Sequence, residues 1–174
     1  MDEEIRRFQS ELRVRNARDI CRRFLTFGSC RQLAEEAYFN LKAAVAEKFE
    51  IHPNEVIVVG STKLGFSIVP EKRYRPFGDS SDIDVAIVSP MLFDRVWREV
   101  FAYLDAASSW RNQDTFARYF VRGWVRPDKL PSVPSFTFTD AWFGFFRALS
   151  NSRNFGDIRI SAALYRDWLL LEKY

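Results

Sequence analysis

Histidine, cysteine and long apolar runs are scarce in this chain of 174 residues. The single histidine, His52, excludes His-rich zinc sites and any histidine-based triad not built on that residue. Two cysteines, Cys21 and Cys30, cannot form a disulfide framework and lack CxxC metal spacing. No stretch approaches the ~18 apolar residues that crossing a bilayer requires, and Met1-Asp2-Glu3-Glu4 offers no apolar signal core. The expectation is a soluble, cytoplasmic protein with no membrane partner. The net charge of +3 is too small to indicate nucleic-acid binding by itself. What is abundant is hydrophobic and aromatic: 47% and 16% of residues, with 17 Phe and 5 Trp. Disorder and collagen-like repetition are thereby excluded, and the length suits one domain with a real core.

Apolar residues Ile5, Phe8, Leu12, Ile20 and Phe24 predict one amphipathic helix over 3–26. Gly28-Ser29 breaks it, with Ser29 a candidate cap for a second helix from Leu33 to Phe49. The period then changes: Val56–Val59 and Ile83–Val88 read as short buried strands. A long connection, 61–81, joins them and carries Lys63, Lys72, Arg73 and Arg75, as either a lid or a binding loop. Helical spacing returns at 92–104 and more loosely around Phe116, Phe120 and Trp124. Pro127, Pro131 and Pro134 predict a surface loop over 126–135. Thr139 or Asp140 is a candidate cap for an aromatic helix through Leu149, and 157–165 reads as a third strand. The order predicts one α+β domain over 1–174, a small mixed sheet flanked by helices, with residues 1–50 as an N-terminal helical extension and 51–174 as the core.

Three motifs carry chemistry. Asp82 and Asp84 open the second strand and face one side, ~6.5–7 Å apart along the chain, while Ile83, Val85 and Ile87 face the other. Paired carboxylates repel unless a cation lies between them, and hard oxygen ligands suit Mg²⁺. Gly60-Ser61 follows the first strand, where glycine permits close approach of backbone to phosphate; the GKS/T ending of a P-loop is absent. Asp157 and Arg159 share one face of the third predicted strand. Taken singly, these motifs equally fit an acidic strand edge, a structural turn and a surface ion pair.

Taken in order, Gly60-Ser61, Ser81-Asp82-Ile83-Asp84-Val85 and Asp157-Ile158-Arg159-Ile160 resemble the nucleotidyltransferase superfamily typified by DNA polymerase β. The resemblance covers the core strands and leaves the N-terminal helices and the proline-rich loop unmatched. It implies a minimal nucleotidyltransferase fold and a two-metal phosphoryl transfer, with Asp82, Asp84 and Asp157 as ligands of two Mg²⁺, for which Mn²⁺ can substitute. Asp157 would also stand near the attacking hydroxyl. Gly60, Ser61, Lys63, Ser81 and Arg159 would bind the nucleotide, an NTP or dNTP. Two departures stand out: the Ser61–Asp82 gap is longer than usual in the family, and Leu64 occupies a position where such polymerases carry a phosphate-binding arginine.

The chain has no room for domains that grip a duplex, so the implied reaction is untemplated. Size, motifs and a terminal tyrosine make it similar to the compact nucleotidyltransferases of the bacterial Hailong antiphage system, which start a DNA oligomer on a C-terminal residue. That likeness implies Tyr174 as acceptor, a single-stranded oligonucleotide product, an effector protein partner, a homo-oligomer and a role in antiviral defence. The alternatives are nucleotidylation of a small molecule or partner protein, as in antibiotic-modifying and antitoxin relatives, and a catalytically silent nucleotide-binding domain.

Overall fold

The computed structural model describes residues 2–78, 80–106, 108–152 and 154–173. The architecture is α+β. Four strands, β1 (Val56–Val59), β2 (Ile83–Val88), β3 (Trp124–Val125) and β4 (Ile160–Tyr165), form a mixed sheet in the order β1-β2-β4-β3. β1 and β2 are antiparallel, β2 and β4 parallel, and β4 and β3 antiparallel.

Strand alternation sorts the sheet into two faces. Val56, Val58, Ile83, Val85, Ile87, Val125, Ile160 and Leu164 point into the main core. Helices α3 (Glu35–Phe49), α5 (Pro90–Asp105) and α7 (Thr137–Asn151) cover that face. Their aromatic residues fill it: Phe49 lies 5.0 Å from Trp142 and 6.0 Å from Phe146, ring centre to ring centre. Ile57, Ala86, Val88, Trp124 and Tyr165 point the other way. There Tyr119 of α6 (Gln113–Phe120) and Leu171 of α8 (Trp168–Lys173) pack on them.

Several elements depart from the expected pattern. The first helix is broken. α1 (Asp2–Val14) ends before Asn16, whose extended backbone and side chain, accepting from the Asp19 N–H at 3.0 Å, cap α2 (Ala17–Cys21). A π-helical turn, Arg22–Phe27, follows. Ser29 caps nothing: α3 starts at Glu35 without a side-chain cap, and Glu35 and Glu36 meet the helix dipole instead. Thr139 likewise does not cap α7; its hydroxyl donates to the Pro131 carbonyl at 2.7 Å. Trp124 belongs to strand β3, not to the helix before it.

The long connection after β1 folds on itself. α4 (Gly60–Leu64) is a single turn, after which Ser67 N–H donates to Arg75 O, Tyr74 N–H to Ser67 O and Phe77 N–H to Gly65 O. Phe66 anchors this loop among Phe8, Ile20 and Leu64, so the N-terminal helices and the inserted loop share one small core.

Candidate active site

The register places Asp84 opposite Val59, the last residue of β1. Gly60 follows with φ +66°, and a Cβ there would stand 2.8 Å from Asp84 Oδ2. Only glycine lets the turn approach that carboxylate without strain. On the other side Ser161 of β4 donates to Asp84 Oδ1 at 2.9 Å. Burial pushes the Asp84 carboxyl above its usual range; the Asp82 charge adds to the rise, while the Ser161 hydrogen bond and Arg159 oppose it.

Asp82 precedes the strand, near enough for its charge to act on Asp84. Its backbone carbonyl accepts from Thr62 Oγ1 at 2.9 Å, which ties α4 to the start of β2. Its Oδ2 lies 3.7 Å from Nε of Arg159. Arg159 is largely exposed and Asp82 partly so, and this pair contributes little stability. Hard carboxylate oxygens close together, one of them with its pKa raised by burial, suit a small divalent cation. Asp82 and Asp84 would be its ligands.

Asp157 lies before β4 and not on it, outside the strand that the sequence pattern gives it. Regular pairing of β4 begins at Ile160, not at residue 157. Gly156 has φ +79°, and Ser150 Oγ accepts the Ile160 N–H at 2.9 Å. Asp157 lies exposed in a bend after Gly156. Among the described residues, no three His, Cys, Asp or Glu side chains form a group able to hold a metal ion.

The other residues are dispersed. Ser61 is half-buried in the first turn of α4. Ser81 closes a turn, its hydroxyl accepting the Gly78 N–H at 3.1 Å and its own N–H donating to Gly78 O. Lys63 is 2% exposed; its ammonium donates to the Gly28 carbonyl and stands 5.7 Å from the Tyr38 ring. Burial lowers its pKa. This lysine joins α4 to the N-terminal segment, and reaching a phosphate would require breaking that bond. Tyr174 lies outside the described residues.

Beside the carboxylates, beyond β4, opens a groove of about 1110 Å³. Asp157, Arg159 and Ser161 line it from the sheet side. Phe143, Arg147 and Asn151 line it from α7, and Arg126 and Asp128 from the loop after β3. The Arg126 guanidinium is held by Asp128 at 3.0 and 2.8 Å and lies over the Trp124 ring. Phe143, Arg147 and Asn151 recur every four residues on one helix, a spacing visible in the sequence though not singled out from it. Comparison with protein-family models, curated proteins and solved structures gives no match to this chain.

Proposed function

We propose that this protein is a Mg²⁺-dependent nucleotidyltransferase of the polymerase β-like fold that adds nucleotides to a hydroxyl acceptor without a template. The observation that carries the reading is the setting of Asp84. It is a half-buried carboxylate wedged between a positive-φ glycine turn and a serine of the neighbouring strand, with Asp82 close by. A structural acidic pair has no need of a glycine turn held against it, and its burial costs stability.

In this reading the Gly60-Ser61 turn accommodates the β- and γ-phosphates of an NTP or dNTP, with the Ser61 hydroxyl donating to them. Asp82 and Asp84 hold Mg²⁺, which when bound offsets charge on the transferring phosphoryl group. Ser161 fixes the Asp84 carboxylate in place. Arg159, largely exposed beside Asp82, is positioned to meet a phosphate. Asp157, on its exposed bend, takes the proton of the attacking hydroxyl.

A second reading concerns the acceptor. α8 folds back across the sheet face that carries Asp84, and Glu172 accepts from Arg22 Nε at 2.7 Å. The π-helical turn beginning at Arg22 packs against α4 and β1. Tyr174 enters this second reading through the resemblance to the Hailong enzymes, as the first acceptor hydroxyl, and not through a position in the fold.

Incubation with each labelled NTP and dNTP plus Mg²⁺, followed by a denaturing gel, tests the proposal. A ladder is expected. A single adduct would mean nucleotidylation of one acceptor, and no product would leave a silent nucleotide binder. Asp84→Asn should lower transfer about a thousandfold, the scale of losing one preorganised charge-bearing group. It should leave the fold intact, since it removes a charge whose burial is costly. An Asp84→Asn protein that transfers at the wild-type rate would refute the assignment.

A further inference from the structure

The groove beyond β4 is more than an extension of the carboxylate site. Backbone groups of alternate residues leave a strand in opposite directions. Ile83 N–H donates to Arg159 O and Ser89 N–H to Tyr165 O, so the odd-numbered residues of β4 are committed to β2. Residues 160, 162 and 164 therefore face the far edge. Leu164 pairs there with Val125, and Ser150 takes the Ile160 N–H. Continuing the antiparallel register of β3, the residue opposite Ala162 would be Pro127, which has no N–H to give. β3 stops short, and the sheet edge at Ala162 opens into the groove.

The lining combines three kinds of contact. Phe143 shows 41% of its surface to solvent, Arg147 lies one helical turn further along the same wall, and Arg159 faces them from the sheet side. An aromatic platform interleaved with guanidinium groups is the combination that binds single-stranded nucleic acid. At about 1110 Å³ the groove also exceeds the ~300–1,000 Å³ of an ordinary small-molecule site.

Direction supplies the remaining step, and it rests on the transfer reading above. With the β- and γ-phosphates at Gly60-Ser61, on the β1 side of Asp84, pyrophosphate departs toward β1. In-line displacement then requires the attacking oxygen to come from the opposite side, which is β4 and the groove. Asp157 lines that entrance. We propose that the groove is the acceptor channel and that it takes the 3′-hydroxyl end of a single-stranded oligonucleotide, stacked on Phe143 with its phosphates on Arg147 and Arg159. The 3′ oxygen forms a bond to the α-phosphorus, the bond from that phosphorus to the bridging oxygen breaks, and pyrophosphate leaves with the electron pair. The hydroxyl proton passes to the Asp157 carboxylate and from there to water.

The test measures binding and transfer separately on the full chain. A short 5′-labelled oligothymidylate, and the matching oligouridylate, are titrated by fluorescence anisotropy without nucleotide at several salt concentrations. Salt-sensitive binding is expected. Phe143→Ala should weaken it about tenfold, within the range of a lost base–aromatic stack. Arg147→Ala should reduce the slope of log affinity against log salt by roughly 0.7, one phosphate contact on a single strand. In the transfer assay both variants should raise KM for the strand while leaving KM for the nucleotide unchanged. Binding that neither substitution alters overturns the channel. A strand that binds in the groove and is never extended, while nucleotide is added to another hydroxyl, overturns its role as acceptor but leaves the transfer reading standing. Absence of transfer to any acceptor overturns both.

Discussion

Lys63 has its ammonium inside the protein, on the Gly28 carbonyl and beside the Tyr38 ring, and burial lowers its pKa. A lysine with a folded-state pKa below its unfolded value binds fewer protons folded than unfolded over the interval between them. Stability therefore rises with pH across that interval. The window runs from the lowered folded value up to ~10.4, the ordinary lysine value. Urea unfolding of wild type and Lys63→Met at a series of pH values isolates the effect. The stability of wild type relative to the variant should climb through that window and level off above it. A pH-independent difference would mean that the ammonium is solvated. The residue shows why a sequence motif is an incomplete guide to its members. Lys63 sits beside the Gly60-Ser61 turn in sequence, yet the fold spends its charge on joining two segments.

At the scale of elements, α8 is the least expected and the most consequential. Gly123, with φ +72°, lies so close to Leu170 that no Cβ fits between them. Glu172, with its side chain 6% exposed, meets Arg22 at 2.7 Å and Arg18 at 3.9 Å. Two contacts thus seat one short helix across the sheet face. Glu172→Ala should accelerate amide hydrogen exchange at Leu170 and Leu171 without changing it in β2, and Gly123→Ala should do the same by displacing Leu170. Unaltered exchange in both variants would show that the apolar face of α8 suffices. The sequence could not display this helix, because Trp168-Leu169-Leu170-Leu171 is apolar on all sides and has no period to read. Strand β3 is too short to show alternation, and Asp157-Ile158-Arg159-Ile160 alternates well, yet Asp157 lies in a bend after Gly156 and regular pairing begins only at Ile160. Longer patterns were legible: β1, β2, α3 and α5 lie where their periodicity puts them. Asp84 lies on β2 as its alternation indicates, and Asp82, just before the strand, is near enough for its charge to act on Asp84. The groove was not legible, because its walls come from β4, α7 and the loop after β3, and no local pattern joins them.

Across the whole molecule, the two roles assigned to α7 can be separated by neighbouring residues. Trp142 is 1% exposed and lies 5.0 Å from both Phe49 and Phe146, so it joins α7 to α3 at the centre of the core. Truncating such a side chain removes apolar burial and leaves a cavity that rigid neighbours cannot fully close. Trp142→Ala should cost about 3–5 kcal/mol. That is a large part of the ~5–15 kcal/mol by which domains are stable, so the variant should unfold at much lower denaturant. Phe143, the next residue, points into the groove, and Phe143→Ala should cost about 0.5 kcal/mol, as surface substitutions do. Guanidinium unfolding measures both, with an unchanged m-value confirming that stability alone has moved. The two substitutions separate stability from binding: Trp142→Ala should lower stability far more than Phe143→Ala does, whereas Phe143→Ala should nearly keep stability and lose strand binding. Equal stability losses at the two positions would mean that α7 does not divide its faces between core and groove, and the acceptor channel would lose its wall.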